Sequence, residues 1–73
     1  MSPRLPRLSG AAVVRALERA DFEQVSQRGS HVKLRHADGR VVIVPLHREL
    51  ATGTLASILR QSGLSPDDLD ALR

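Results

Sequence analysis

The fold of this chain is decided by residues 29–44, whose sequence is GSHVKLRHADGRVVIV. Its opening Gly-Ser predicts a bend, and residues 31–36 alternate apolar side chains with basic or imidazole ones, as a strand with one buried face does. The Asp-Gly dipeptide predicts a tight hairpin turn, because this pair tolerates left-handed backbone conformations. Residues 40–44 then predict a further strand that is apolar on both faces. The stretch therefore predicts two antiparallel strands joined by a hairpin.

Elements on both sides of this stretch predict an α+β fold. Ser9 is a suitable N-cap for a first helix over residues 10–20, Phe22 is expected to anchor the core, and residues 23–28 predict a polar edge strand. Thr52 is a suitable cap for a second helix. Ser65 is a suitable cap for a short last helix, which is expected to fray. The predicted order is α-β-β-β-α, with a three-stranded antiparallel sheet and the helices on one face.

Length and composition place the chain among small single-domain proteins. Its 73 residues include no cysteine, which excludes disulfides, a thiolate nucleophile and a cysteine-based zinc site. We expect a basic flexible leader over residues 1–8 and one domain over residues 9–73. The leader lacks the apolar run of a signal peptide, and no segment approaches transmembrane length. These features predict a cytoplasmic protein without membrane contact.

Charge is unevenly distributed along the chain. The formal net charge is +3, and the middle of the chain is basic while acidic residues gather near residues 18–23 and 67–70. This pattern favours a polyanion-binding face, and with a single aromatic residue its contacts are expected to reach phosphate and sugar. The basic stretch contains Arg28, His31, Lys33, Arg35, His36, Arg40, His47 and Arg48.

A histidine and several cations form the candidate site. Strand alternation places His31, Lys33 and Arg35 on one face of the sheet. An imidazole can move protons near neutral pH and fixed cations can neutralise phosphate oxygens, so the group suits phosphodiester chemistry; on many open sheet faces such residues are simply solvated. The candidate site consists of Arg28, Gly29, Ser30, His31, Lys33 and Arg35.

The site is expected to work without a metal or another cofactor. His31 and His36 fall on opposite faces of their strand, and no carboxylate stands at a spacing suited to a shared metal ion. RNA can be cleaved without one, because a ribose 2′-OH attacks its neighbouring phosphate once a base removes the proton and cations stabilise the phosphorane. DNA lacks this internal nucleophile, so the chemistry selects RNA.

The last strand carries more apolar residues than a one-sided sheet buries. Half of residues 41–44 would face solvent in a sheet covered on one face. A partner, a dimer mate or the chain's own segment around Leu46 and Leu50 would then cover them.

Several motifs of the chain occur together in one family. They are Gly29-Ser30-His31 after an αβ opening, Asp38-Gly39-Arg40 before an apolar strand that ends in Pro45, and Leu50 with Thr52-Gly53-Thr54-Leu55 leading into Ile58-Leu59 and Gly63-Leu64-Ser65. Together they span about residues 8–65. In this combination the chain resembles the HicA toxin family, which comprises small mRNA interferases of type II toxin–antitoxin systems.

The resemblance implies a double-stranded-RNA-binding-domain-like fold and ribosome-independent cleavage of mRNA, with His31 as the essential residue and no metal. It also implies a HicB antitoxin that covers the active site, and binding to operator DNA only through the toxin–antitoxin complex. Many relatives carry His with Gly or Lys residues where this chain has His47-Arg48-Glu49, so a role for His47 stays open.

Two other functions stay open from the sequence. One is a noncatalytic module that binds double-stranded RNA by its shape. Such a module usually carries lysines at the start of its last helix, and residues 52–57 contain none, which favours the enzyme. The other is a DNA-binding partner in a repressor complex, for which the chain shows no recognition-helix pattern of its own.

Overall fold

A three-stranded antiparallel sheet carries the helices on one face in the computed structural model, which describes residues 7–73. This architecture confirms the predicted α+β fold and its order. The predicted leader lies outside the described residues except for Arg7 and Leu8, and the Leu8 side chain is buried in the core. The elements are α1 (Gly10–Arg19), β1 (Phe22–Arg28), β2 (His31–His36), β3 (Val41–Pro45), α2 (Thr52–Ser62) and α3 (Pro66–Leu72).

The sheet has the strand order β1-β2-β3, so β1 and β3 are its edges. Both pairings are antiparallel. β2 alternates as predicted, since Val32 and Leu34 are buried while His31, Lys33 and Arg35 are exposed. One face of the sheet therefore packs on the helices, and the other, which we call the open face, carries His31, Lys33 and Arg35 of β2.

The core lies between the sheet and the helices. Phe22 is buried there, as predicted for the only aromatic residue of the chain. Leu69 of α3 is fully buried as well, so α3 packs into the fold instead of fraying. The buried apolar residues are Leu8, Val13, Val14, Ala16, Leu17, Phe22, Val32, Leu34, Val42, Val44, Leu50, Leu55, Ile58, Leu59 and Leu69.

Two helices of the described chain, α1 and α3, begin with the predicted kind of cap. The Ser9 hydroxyl accepts a hydrogen bond from the Ala12 amide at 3.1 Å. The Ser65 hydroxyl accepts one from the Asp68 amide at 3.0 Å, and the Asp68 carboxylate accepts one from the Ser65 amide at 2.9 Å. This reciprocal capping box closes the first turn of α3.

The predicted cap of α2 is wrong. Ala51, not Thr52, is the N-cap, with φ −62° and ψ 148°, and Thr52 is the first helical residue. The neighbouring Leu50 is buried, and its amide donates to the Leu8 carbonyl at 2.7 Å. Because this anchor holds the chain immediately before Ala51, α2 starts one residue earlier than a side-chain cap by Thr52 requires.

No helix within residues 7–73 is long and apolar enough to cross a membrane.

Candidate functional site

The open face of the sheet is ordered into three columns, one for each strand. β1 contributes a polar column, β2 a cationic column with one imidazole, and β3 an apolar column. The register defines three rows across them: Arg28, His31 and Pro45; Ser26, Lys33 and Ile43; Glu23, Arg35 and Val41.

His31 begins β2 and stands in the first of these rows. Its Cα pairs with that of Arg28, and Lys33 projects from the same face two residues along the strand. The imidazole is exposed, and within residues 7–73 no side chain or backbone group forms a hydrogen bond with it. Both ring nitrogens are thus available to exchange protons with a ligand or with water.

A shallow depression of about 500 Å³ opens on this part of the face. This volume lies within the range of small-ligand sites. The depression brings together three of the predicted residues and two that the sequence argument did not select: Arg28, His31 and Lys33, with Ser26 and Ile43.

Arg35 does not belong to the same depression. It lines a neighbouring one with Glu23 and Val25, further from His31 along β2. Its charge still adds to the cationic column. Nowhere in the described chain do Arg28, Lys33 or Arg35 form an ion pair, so their charges face solvent.

The Gly29-Ser30 turn fixes where β2 begins. Gly29 has φ 54°, a left-handed conformation that glycine adopts without strain, so the expected bend is present. The Ser30 carbonyl accepts a hydrogen bond from the Leu46 amide at 2.6 Å, and the Gly29 carbonyl accepts one from the Gln27 side chain at 3.0 Å. These bonds hold the backbone that leads into His31.

The N-terminus of α1 holds the backbone of the loop that follows β3. The Gly10 amide donates to the His47 carbonyl at 2.9 Å. A Cβ at Gly10 would lie 2.0 Å from the Pro45 carbonyl oxygen, so only glycine allows this approach. The backbone of the β3–α2 loop is thereby clamped between α1 and the Gly29-Ser30 turn, and the His47 side chain does not line the depression.

A β-bulge in β1 brings Arg28 to the open face. The pairing with β2 shifts between Gln24 and Ser26, which leaves Val25 as the extra residue. Strict alternation would put Phe22 and Arg28 on the same face. The shift lets Phe22 enter the core while Arg28 stands beside His31. Sequence alternation alone gave no signal of this bulge.

A second polar cluster, on the helix side of the hairpin, is structural. The Arg40 side chain donates to both carboxylate oxygens of Asp38, at 3.0 and 2.9 Å, and to the Ser62 carbonyl at the end of α2. Its guanidinium carbon lies 5.1 Å from the centre of the Phe22 ring. Hydrogen bonds from the side chain and backbone of Arg40 lower the pKa of Asp38 from 3.8 to about 2. Arg40 therefore ties the hairpin to α2 and is not one of the free cations that its position in the basic stretch suggested.

His36 is also separate from His31. Its ring packs edge-on against Phe22 with the ring centres 5.1 Å apart, and its Nδ1 accepts the Asp38 amide hydrogen at 3.1 Å. The two histidines lie on opposite faces of β2, as strand alternation predicted. In the part of the chain that the structure describes, no three His, Asp or Glu side chains are grouped so as to hold a metal ion.

The fold and this face define a small α+β protein with an exposed histidine among unpaired cations. The family model described as the HicA toxin of bacterial toxin–antitoxin systems matches residues 10–64, which span every strand, α1 and α2. The chain therefore belongs to the HicA toxin family. A comparison with curated proteins finds no match.

Proposed function

We propose that this chain is a metal-independent endoribonuclease that cleaves mRNA, with His31 as the catalytic residue. The observation that carries the proposal is an exposed imidazole without an internal partner, in one depression with Arg28 and Lys33. Membership of a toxin family supports this function, since arrest of translation by mRNA cleavage is a toxic activity. The rival function, a noncatalytic RNA-binding module, needs the cations but not the histidine.

The proposed reaction is an internal transfer at phosphorus. The ribose 2′-oxygen forms a bond to phosphorus and the bond between phosphorus and the 5′-oxygen breaks, which leaves a 2′,3′-cyclic phosphate and a 5′-hydroxyl. One proton leaves the 2′-OH and another reaches the 5′-oxygen. One imidazole lies in the depression, so His31 makes one of these transfers and water makes the other.

The three cations Arg28, Lys33 and Arg35 would contact different parts of the substrate. A guanidinium presents its N–H groups as a planar fork that matches two phosphate oxygens, which suits Arg28 to the scissile phosphate. Lys33 supplies a compact charge for the negative charge that develops on the phosphorane. Arg35 lies two residues beyond Lys33, and residues two apart on a strand are separated by about 6.6 Å. Arg35 would therefore reach a neighbouring phosphate of the same RNA strand. Gly29 and Ser30 position His31 through the backbone.

The partner in this proposal is a HicB-type antitoxin. Its proposed binding site is the open face, where it would cover His31 and prevent RNA from entering. Operator DNA would contact the toxin–antitoxin complex and not this chain alone, and mRNA would be met in the cytoplasm.

The test is incubation of the purified chain with a defined mRNA in excess EDTA. We expect the native chain to cleave the RNA and His31→Ala to lose the activity. His47→Ala is the matched control, because His47 is exposed but does not line the depression, and we expect it to cleave as the native chain does.

Two results would contradict the proposal. If neither the native chain nor His31→Ala cleaves RNA but both shift it on a gel, the chain is a binding module. If His31→Ala cleaves as fast as the native chain, the catalytic residue lies elsewhere.

A further inference from the structure

Two residues of the apolar column of β3 are left partly exposed by the fold. Val41 and Ile43 are 38% and 40% exposed, although their neighbours Val42 and Val44 are buried. The segment that follows β3 does not cover them: Leu50 is buried in the core, and Leu46 lies beside α1 and Val32. Of the three alternatives that the sequence left open, cover by the chain's own segment is therefore excluded, and a partner or a dimer mate remains.

The outer edge of β3 already forms a hydrogen bond at Ile43, one of the exposed residues of this column. The Ile43 amide, which points away from β2, donates to the side-chain carbonyl of Gln61 on α2 at 3.2 Å. A strand from another molecule cannot pair with this amide while the bond is in place. What Ile43 offers to a ligand is its side chain on the open face.

Ile43 shares its depression with the cations. It pairs with Lys33 across β2 and β3, and it lines the same depression as His31 and Arg28. An apolar side chain and two positive charges thus line one depression. A nucleotide has the complementary chemistry, because its phosphate is anionic and the face of its base is apolar.

The conformation of the RNA determines whether a base face is exposed and can pack on Ile43. In a duplex the base faces are stacked on one another, and the outside presents phosphates, 2′-hydroxyls and base edges. An unpaired nucleotide exposes a base face that can pack on an aliphatic side chain. Such a contact contains no hydrogen bond to a base edge, so it responds to the area of the base and not to its pattern of donors and acceptors.

We propose that Ile43 packs against the base of an unpaired nucleotide next to the phosphate held by Arg28 and Lys33, which makes single-stranded RNA the substrate. This inference rests on the proposed function, since it places the base of the same substrate. It assigns Ile43 as a specificity-determining residue with a preference for the larger purine face over the pyrimidine face.

The first measurement compares Ile43→Ala with Leu46→Ala. Leu46 is exposed to nearly the same degree as Ile43, at 38%, but lies outside the depression. On a single-stranded RNA we expect Ile43→Ala to cleave about three- to tenfold more slowly and Leu46→Ala to match the native chain. The same RNA annealed to its complement is expected to resist all three proteins. Thermal unfolding of each variant shows that the comparison is made on folded protein.

The second measurement removes the base instead of the side chain. An abasic ribonucleotide is placed in turn at each position beside the cleaved bond. At one of these positions the abasic ribonucleotide is expected to slow cleavage by the native chain but hardly to affect cleavage by Ile43→Ala. The variant has already lost the contact between this side chain and the base, so removing the base costs it nothing more. Equal slowing of both proteins at every position would overturn the assignment, as would equal cleavage of duplex and single strand.

A binding measurement separates this inference from the proposed function. The probe is a single-stranded RNA with 2′-O-methyl groups, which cannot supply the attacking hydroxyl. If native RNA is not cleaved but Ile43→Ala still binds the probe three- to tenfold more weakly, the enzyme proposal fails and the base contact stands. If Ile43→Ala binds the probe as the native chain does, the base contact is refuted whether or not the chain cleaves RNA. Unchanged RNA binding with weakened binding of the antitoxin would likewise refute it and assign the apolar column to a protein partner.

Discussion

Phe22 and Arg28 lie on opposite faces of β1, although strict alternation along the strand would place them on the same face. The bulge at Val25 accounts for the difference. It allows one short edge strand to contribute the only aromatic residue of the core and the arginine that pairs with His31 across the sheet.

Arg28 is expected to contribute to RNA binding and cleavage. If Arg28 holds the scissile phosphate as proposed, Arg28→Ala should slow cleavage about tenfold or more, because the variant loses that cation. The dependence of binding on salt should also become shallower, by about 0.7 in the slope of log K against log salt for one lost phosphate contact. Arg60→Ala is the control, since Arg60 is exposed on α2 and does not line the depression. Equal effects of the two substitutions would show that only overall charge matters.

Gly10 is expected to be the least replaceable glycine of the described chain. Gly10→Ala places a methyl group 2.0 Å from the Pro45 carbonyl oxygen, and backbone has to move to relieve the clash. We predict a loss of about 3 kcal/mol in the free energy of unfolding, measured by urea denaturation.

Gly53→Ala is the matched control for this prediction. Gly53 lies in the first turn of α2 with no atom near the position of its missing Cβ. Alanine should therefore raise the free energy of unfolding, by up to about 0.5–1 kcal/mol, because it loses less entropy than glycine on entering a helix. If Gly10→Ala is as stable as the native chain, the close approach of α1 to β3 is absent in solution.

Arg40 is expected to stabilise the fold without contacting RNA. Arg40→Ala removes the hydrogen bond to Ser62 and the contact with Phe22, and we predict a loss of about 1–2 kcal/mol in the free energy of unfolding. At temperatures where the variant is folded, its cleavage rate should equal that of the native chain. A slowing as large as that of Arg28→Ala would place Arg40 in the RNA site.

The hairpin and α3 are expected to make the protein sensitive to acid. Hydrogen bonds from Arg40 lower the pKa of Asp38 to about 2, and hydrogen bonds from Ser65 lower the pKa of Asp68. Both carboxylates bind protons more weakly in the folded chain than in the unfolded one. Their contribution to the free energy of unfolding is therefore present above about pH 4 and is lost as the pH falls toward 2. Urea denaturation at several pH values should show this decline, and the decline should be shallower in Asp38→Asn. An equally steep decline in that variant would refute the contribution of Asp38.

The elements that follow from local patterns were predictable from the sequence. β2 matches its prediction residue for residue, because alternation along His31–His36 is regular and one face enters the core. Ser9 and Ser65 cap their helices because their hydroxyls act within one turn of the chain. The cap of α2 was mispredicted because the burial of Leu50, a tertiary effect, sets where that helix starts.

The site was predictable in part, since Arg28, His31 and Lys33 were selected from the sequence while Ser26 and Ile43 were not. His31 and Lys33 share a face because of alternation within β2, which sequence shows directly. Ser26 and Ile43 come from the strands on either side, and their arrival in the same depression depends on the register and on the bulge. Arg40 counts as a cation in the sequence, but its contacts with Asp38 and Ser62 are visible only in three dimensions.

The most direct test of the account is the rate of RNA cleavage in EDTA measured from pH 5 to 8. An imidazole changes its charge within this range, so a reaction in which His31 transfers a proton must change its rate across it. We predict a marked pH dependence for the native chain and for His47→Ala, and no cleavage by His31→Ala. A rate that stays constant from pH 5 to 8 would remove histidine from the chemistry and contradict the central claim.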